Sequence, residues 1–255
     1  MTATEIIAIA ASGIAAGLIN AIAGGGTLLT FPVLMVCGTP PIIANATSTL
    51  ALVLGTSGSV YGYRAQLPAV RGLLIRFLPV SLIGGLLGSV LLLYYPESSF
   101  RRLVPFLMLF ATLLFLTQGL LRKRFSPTPS PQDSIKPDSW ALLFQFVISI
   151  YGGYFGAGIG ILMLATMGML GLTDIHQMNA LKTFLGSLIN LVAATYFVHA
   201  GLVDWTKAGI LFLGAIGGYF LGSHYSQRLP QKIIRQLIIL IGLSMTLILF
   251  YIQFR

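Results

Sequence analysis

A lysine inside an apolar stretch is the first place to look for chemistry in this chain. In MNALKTFLGSLIN, residues 178–190, Lys182 lies about 12 Å along a helix from Asp174. An ammonium at that depth in hydrocarbon costs a few kcal/mol unless it is paired or hydrated, so it is a functional candidate by default. A second outcome stays open, in which the long stem snorkels to the interface. Asn179, Thr183 and Asn190 flank the lysine with hydrogen-bonding groups, and an earlier segment, NATST, offers Asn45, Thr47, Ser48 and Thr49. A cation among amides and hydroxyls, with no acid beside it, suits an anion. Each Asn or Thr taken singly equally suits a bond between neighbouring helices.

Two glycine clusters sharpen the expectation. AIAGGGTLLTFP, residues 21–32, places Gly24, Gly25 and Gly26 in succession before Thr27. FGAGIGIL, residues 155–162, places Gly156, Gly158 and Gly160 in a comparable run. Glycine costs about 1 kcal/mol per helical position relative to alanine, so a straight helix through either cluster is disfavoured. A helix broken within a bilayer exposes backbone groups that lipid cannot satisfy, and such breaks persist only where they line protein or water. The helix that restarts carries roughly half a positive charge and free N–H groups at its N-terminus, a ready anion site. The alternative is close helix packing by small residues, which is how Gly84, Gly85, Gly88, Gly217, Gly218 and Gly222 are read. The substrate-binding set expected from sequence is therefore Gly24, Gly25, Gly26, Thr27, Asn45, Thr47, Ser48, Gly156, Gly158, Gly160, Asn179, Lys182, Thr183 and Asn190.

Missing residue types narrow the chemistry further. The six acids, Glu5, Glu97, Asp133, Asp138, Asp174 and Asp204, all fall at the ends of apolar runs or in loops. No carboxylate is placed to bind a cation or relay a proton in mid-membrane. His176, His199 and His224 lie apart without metal-ligand spacing, and Cys37 is the single cysteine. Neither a GxSxG nor an HExxH pattern occurs. The expectation is a protein that is not an enzyme and uses no metal or cofactor.

The elements that must position these residues are set by composition. Of 255 residues 56% are hydrophobic and 8% charged, with a mean hydropathy of +0.90. Such a chain needs a lipid bilayer as solvent. The net charge of +9 sits in short loops between apolar runs, a membrane-topology pattern rather than a nucleic-acid surface. The start, MTATEIIAIA, lacks a basic leader, so the first apolar run is read as retained. Ten runs are expected, at about 4–24, 27–37, 41–63, 70–95, 102–121, 140–156, 159–172, 176–199, 206–225 and 233–254. The second and seventh are too short for the roughly 20 residues a span needs. Residues 122–139, rich in Pro, Ser and charge, read as a polar linker.

The two groups of five runs are copies. Counting from 45 to 179, a shift of 134 residues brings Asn45-Ala46 onto Asn179-Ala180, Thr49 onto Thr183, and Gly84 and Gly88 onto Gly218 and Gly222. Pro96, Arg101 and Leu103 fall on Pro230, Arg235 and Leu237 in the same register. Shared apolar composition does not keep Gly, Pro and Arg in phase, and internal duplication is frequent among transporters. Placing the basic loops around Arg64 and Arg71, Arg122 to Lys136 and Arg228 to Arg235 inside puts equivalent loops on opposite faces. The expected fold is thus an all-α polytopic membrane protein with inverted repeats. Residues 1–121 form one, residues 140–255 the other, and each has a glycine-broken or re-entrant helix pair plus three spanning helices. The linker is then cytoplasmic.

The segments GLINAIAGGGTLLTFPVL, ANATST, YGGYFGAGIG and NALKTFLGSLINLVAATYFVHAGLVDW together resemble the sulfite exporter TauE/SafE family of membrane permeases. The carrying motifs are the glycine-rich turn before Pro32, Ala44 with Thr47-Ser48, the later A-x-x-K at Lys182, and the Gly201, Val203, Asp204, Trp205 end. Thr166 departs from the pattern, standing where the first copy has Pro32. The resemblance implies transport of sulfite or organosulfonates across a prokaryotic inner membrane. Two other classes remain in play: a cation or drug exporter with inverted repeats, which wants an intramembrane acid, and an intramembrane enzyme acting on lipid phosphates, which wants a base or nucleophile.

Overall fold

The structure is a computed structural model, and it describes residues 1–22, 25–124, 139–225 and 231–254. Its described residues form ten α-helices and one 3-10 turn: α1 (Ala3–Ile22), α2 (Thr27–Val36), α3 (Pro41–Gly62), the turn Leu67–Val70, α4 (Arg71–Tyr94), α5 (Glu97–Arg124), α6 (Ser139–Tyr154), α7 (Ile159–Met169), α8 (Ile175–His199), α9 (Trp205–Tyr225) and α10 (Gln231–Phe254). Four segments, Ala3–Asn20, Leu67–Tyr94, Glu97–Thr117 and Ile175–His199, are long and apolar enough to cross a membrane. At 10 and 11 residues, α2 and α7 reach only about 15–17 Å.

The boundaries of α5 differ from expectation at both ends, its start lying at Glu97 where the run was expected from about 102. α5 continues through Arg122, Lys123 and Arg124 instead of stopping at residue 121. Lys and Arg are good helix formers, and cations suit the negative end of the helix dipole. The rest of the expected linker, residues 125–138, lies outside the described residues.

Packing is reciprocal between the two halves. α1 packs on α9 and α4 on α6; α3 and α8 meet at the centre; α5 lies against α10. The short helices follow suit, with α2 on α3 and α10, and α7 on α8 and α5. Both main helix pairs meet along glycines: a Cβ on Gly17 would run into the Ala215 carbonyl, and one on Gly88 into that of Ile150. Close backbone approach replaces the hydrophobic effect as the association force in lipid. Gly84, Gly85 and Gly218 belong to these seams as expected, whereas Gly217 faces open space and the surroundings of Gly222 lie outside the description. Large apolar side chains such as Leu213 and Phe220 point outward, 71% and 72% exposed. That inside-out arrangement suits a lipid surround.

Asp174 caps the start of α8. Its Oδ1 accepts from the N–H groups of His176 at 2.8 Å and Gln177 at 3.4 Å. Asp174→Ala is expected to cost about 1 kcal/mol, seen as a lower thermal midpoint in detergent. An unchanged midpoint removes the cap as a support of the helix that carries Lys182.

Candidate functional site

Each glycine break starts a short helix, and both starts meet one cavity. At the first break Gly25 has φ +99°, in the left-handed region open to glycine. The N–H of Gly26 donates to Asn20 Oδ1 at 2.7 Å, tying the start of α2 to the last turn of α1. At the second break Gly156 and Gly158 both have φ +81°. There the Tyr151 hydroxyl donates to the Ala157 carbonyl at 2.7 Å and holds the turn. Each new helix aims the positive end of its dipole at the cavity.

The cavity has a volume of about 160 Å³. α3 contributes Thr49, Leu52 and Thr56, Tyr63 follows just past its end, and α8 contributes Asn179, Lys182, Thr183, Gly186, Ser187 and Asn190. Spacings of three, four and seven put each set on one helix face. Asn20, Phe155 and Ile159 complete the wall beside the glycine breaks. Across the α3–α8 contact, Ser187 Oγ donates to Thr56 Oγ1 at 3.2 Å. On α3 the lined length runs from the middle, Thr49, to Tyr63 just past its C-terminal end, roughly 20 Å. The cavity therefore approaches the face of the molecule that carries Arg64.

Lys182 is the cation on this wall, half-buried, with its stem lying over Gly160. A Cβ on Gly160 would come within 3.1 Å of Lys182 Cδ, so this glycine makes room for the lysine. Among the described residues no carboxylate lines the cavity, and no hydrogen bond or ion pair engages Lys182 Nζ. An unpaired ammonium, two helix starts and several hydroxyl and amide groups thus converge on one space. Such a space can replace the water around an anion.

The sequence-expected residues divide as follows. Gly25, Thr27, Gly156, Gly158, Gly160, Asn179, Lys182, Thr183 and Asn190 line the cavity. Gly24 lies outside the described residues. Gly26 stands behind the wall against Asn20. Asn45, Thr47 and Ser48 are off the cavity altogether, 1%, 0% and 0% exposed. At about 100° per residue, Thr47 and Ser48 are turned away from the stripe that begins at Thr49. Thr47 Oγ1 accepts the Asp204 N–H at 3.1 Å, and the Ser48 and Thr30 hydroxyls share a bond of 2.6 Å. Asn45 sits one turn beyond Thr49, with Nδ2 donating to the Tyr154 carbonyl at 3.1 Å and Oδ1 left without a partner.

Asn20, Thr56, Tyr63, Gly186 and Ser187 line the cavity without having been singled out in sequence. The polar spacing Thr49–Thr56–Tyr63, one residue in seven along α3 and just past its end, was the available signal. Asn20 carried no such signal, because only the fold brings it against Gly26.

Comparison with known proteins bears on the whole chain. The family model described as sulfite exporter TauE/SafE matches residues 9–249. A Haemophilus influenzae protein named "Probable membrane transporter protein" is 30% identical over 247 residues, covering 94% of this chain and 92% of its own. Escherichia coli K12 has a relative named "Probable membrane transporter protein YfcA", 27% identical over 238 residues, with 92% and 86% covered. In Bacillus subtilis, "Probable membrane transporter protein YunE" is 25% identical over 258 residues, with 90% and 93% covered. No solved structure matches the chain.

Proposed function

The chain belongs to the sulfite exporter TauE/SafE family, and on that premise we propose that it is a multi-pass permease whose substrate is a small anion, sulfite or an organosulfonate. The observation that carries this is Lys182: a cation without an acid partner, facing a cavity between two helix starts. The family name points to sulfite, and the names of the relatives to membrane transport. The absence of a carboxylate from the lining among the described residues weighs against the cation-exporter alternative. Among the described residues the wall holds no carboxylate, histidine or cysteine to activate its hydroxyl groups, which favours the permease over the enzyme alternative.

In this proposal Lys182, Asn179, Thr183 and Asn190 take over part of the anion's hydration shell, while the starts of α2 and α7 add their dipoles. Two inverted repeats, residues 1–121 and 140–255, rock against each other to alternate access. The reciprocal packing of α1 on α9 and α4 on α6 supports that symmetry. The basic loops support a cytoplasmic side, at a prokaryotic inner membrane, for the linker 122–139 and the cavity's approach.

The test is uptake of labelled sulfite and of a small alkylsulfonate into proteoliposomes, with an organic cation of similar size for comparison. Saturable uptake of either anion, with none of the cation and no chemical change in the recovered substrate, is the expected result. Selective cation flux, or product turnover without flux, would remove the proposal in favour of one of the two alternatives.

A further inference from the structure

We propose that Lys207 is a positioning residue that locks the path shut on the side away from the cavity, with α2 as the lever it holds. The inference rests on the alternating-access permease proposed above. Lys207 Nζ lies 3.0 Å from the Cys37 carbonyl, 2.8 Å from Thr39 Oγ1 and 3.6 Å from Asp204 Oδ2. Two of the ammonium's three donors hydrogen-bond to the loop after α2, and the Asp204 carboxylate at the start of α9 pairs with its charge. Its side chain is 12% exposed, so these charge-assisted bonds are largely sheltered from water. Asp204 extends the tie, because its N–H donates to Thr47 Oγ1 on α3 at 3.1 Å.

The lever follows from where α2 begins and ends. Thr27 at its start lines the cavity, and Cys37 at its C-cap holds Lys207. A cation there also meets the negative end of the helix dipole. The rod is about 15 Å long. Anything that moves its cavity end works against the lock at the other end. Between cavity and lock the path is filled: Phe31 of α2 packs edge-on against Phe155 with ring centres 5.3 Å apart, and Asn45 and Ser48 are buried beside α2 or α6.

The lock exists on one side. Counting back 134 residues, Asp204 corresponds to Val70 and Lys207 to Leu73. Both are apolar and buried, 3% and 7% exposed, in the cluster around α7. At these equivalent positions the cavity side thus has apolar packing where the opposite side has an ion pair with hydrogen bonds. The same count pairs Asn45 with Asn179 and Ser48 with Lys182. Asn179 and Lys182 line the cavity, while Asn45 and Ser48 lie buried and Asn45 Oδ1 has no partner. When α2 swings free of Lys207, these two become the wall of the opposite opening.

The test labels a cysteine at Ser48. In a Cys37→Ser background, which keeps the carbonyl that Lys207 uses, Ser48→Cys is exposed to a membrane-impermeant maleimide in right-side-out and inside-out vesicles. From the side away from the cavity, labelling should be slow with Lys207 present and about fivefold faster or more in Lys207→Ala. Labelling of Thr183→Cys from the cavity side should slow in the same variant, and Lys207→Arg should restore both rates. A purely structural lysine would instead speed labelling from both sides. Thr39→Val, which deletes one tie and preserves the fold, should shift both rates in the same directions by about twofold. Unchanged Ser48→Cys labelling in Lys207→Ala, or in Thr39→Val if the first variant does not fold, overturns the lock. The readout needs no substrate. Sulfite flux with no labelling shift would sink the lock and leave the permease standing; the shift without anion flux would keep the lock and remove the substrate.

Discussion

Lys182→Ala is expected to lower anion uptake into proteoliposomes by about 30-fold or more while leaving the protein folded. Two unit charges 4 Å apart at an effective dielectric near 20 attract by about 4 kcal/mol. Water entering the space left by the side chain recovers part of that. A net loss near 2 kcal/mol corresponds to about 30-fold. The same substitution should not destabilise the protein, because no acid pairs with the ammonium among the described residues. An unpaired charge half-buried in a membrane helix opposes folding. Lys182→Met, which keeps the stem over Gly160, is expected to raise the thermal midpoint in detergent as transport falls. Activity and stability moving in opposite directions is the signature of a residue kept for its chemistry. Transport preserved in both variants would assign Lys182 to hydration at the interface and leave the glycine-flanked helix starts, with Asn179, Thr183 and Asn190, as the anion's partners.

Gly25→Ala is expected to lower both stability and transport, and more than an ordinary glycine substitution does. Two costs coincide at this position. Its φ of +99° is strained for any L side chain, about 1–3 kcal/mol. An added Cβ would also run into the edge of the Phe115 ring, which is fully buried and has nowhere to retreat. Gly38 separates the two costs, because it has φ +76° with nothing within 4 Å of its absent side chain. Gly38→Ala should therefore show the backbone cost alone, and Gly25→Ala a larger drop in the thermal midpoint. Combining Gly25→Ala with Phe115→Leu should lose less than the two single losses together, since the smaller side chain relieves the clash that the first change creates. Equal effects of Gly25→Ala and Gly38→Ala would mean the Phe115 contact is irrelevant, and that α2 can shift without cost. The lever attributed to α2 depends on its not doing so.

Much of this protein was legible as sequence because lipid is an unforgiving solvent. Apolar runs, glycine breaks and the lone intramembrane lysine each stand out against a background that tolerates few exceptions, and the helices fall close to where the runs do. The stripe 179, 182, 183, 186, 190 on α8 follows from helical period alone, and all five residues line the cavity, Gly186 being the one not singled out from sequence. What sequence could not supply was the side of the molecule on which each copy's polar set would open. Asn45 and Asn179 occupy equivalent positions, as do Ser48 and Lys182, yet one pair is buried and the other faces the cavity. The 134-residue register read from the sequence predicts two halves alike in pattern, and the packing treats them differently. Period and composition are local properties of a chain. The choice of which half closes belongs to contacts between residues more than 150 positions apart, such as Lys207 with Thr39; the tertiary structure decided it.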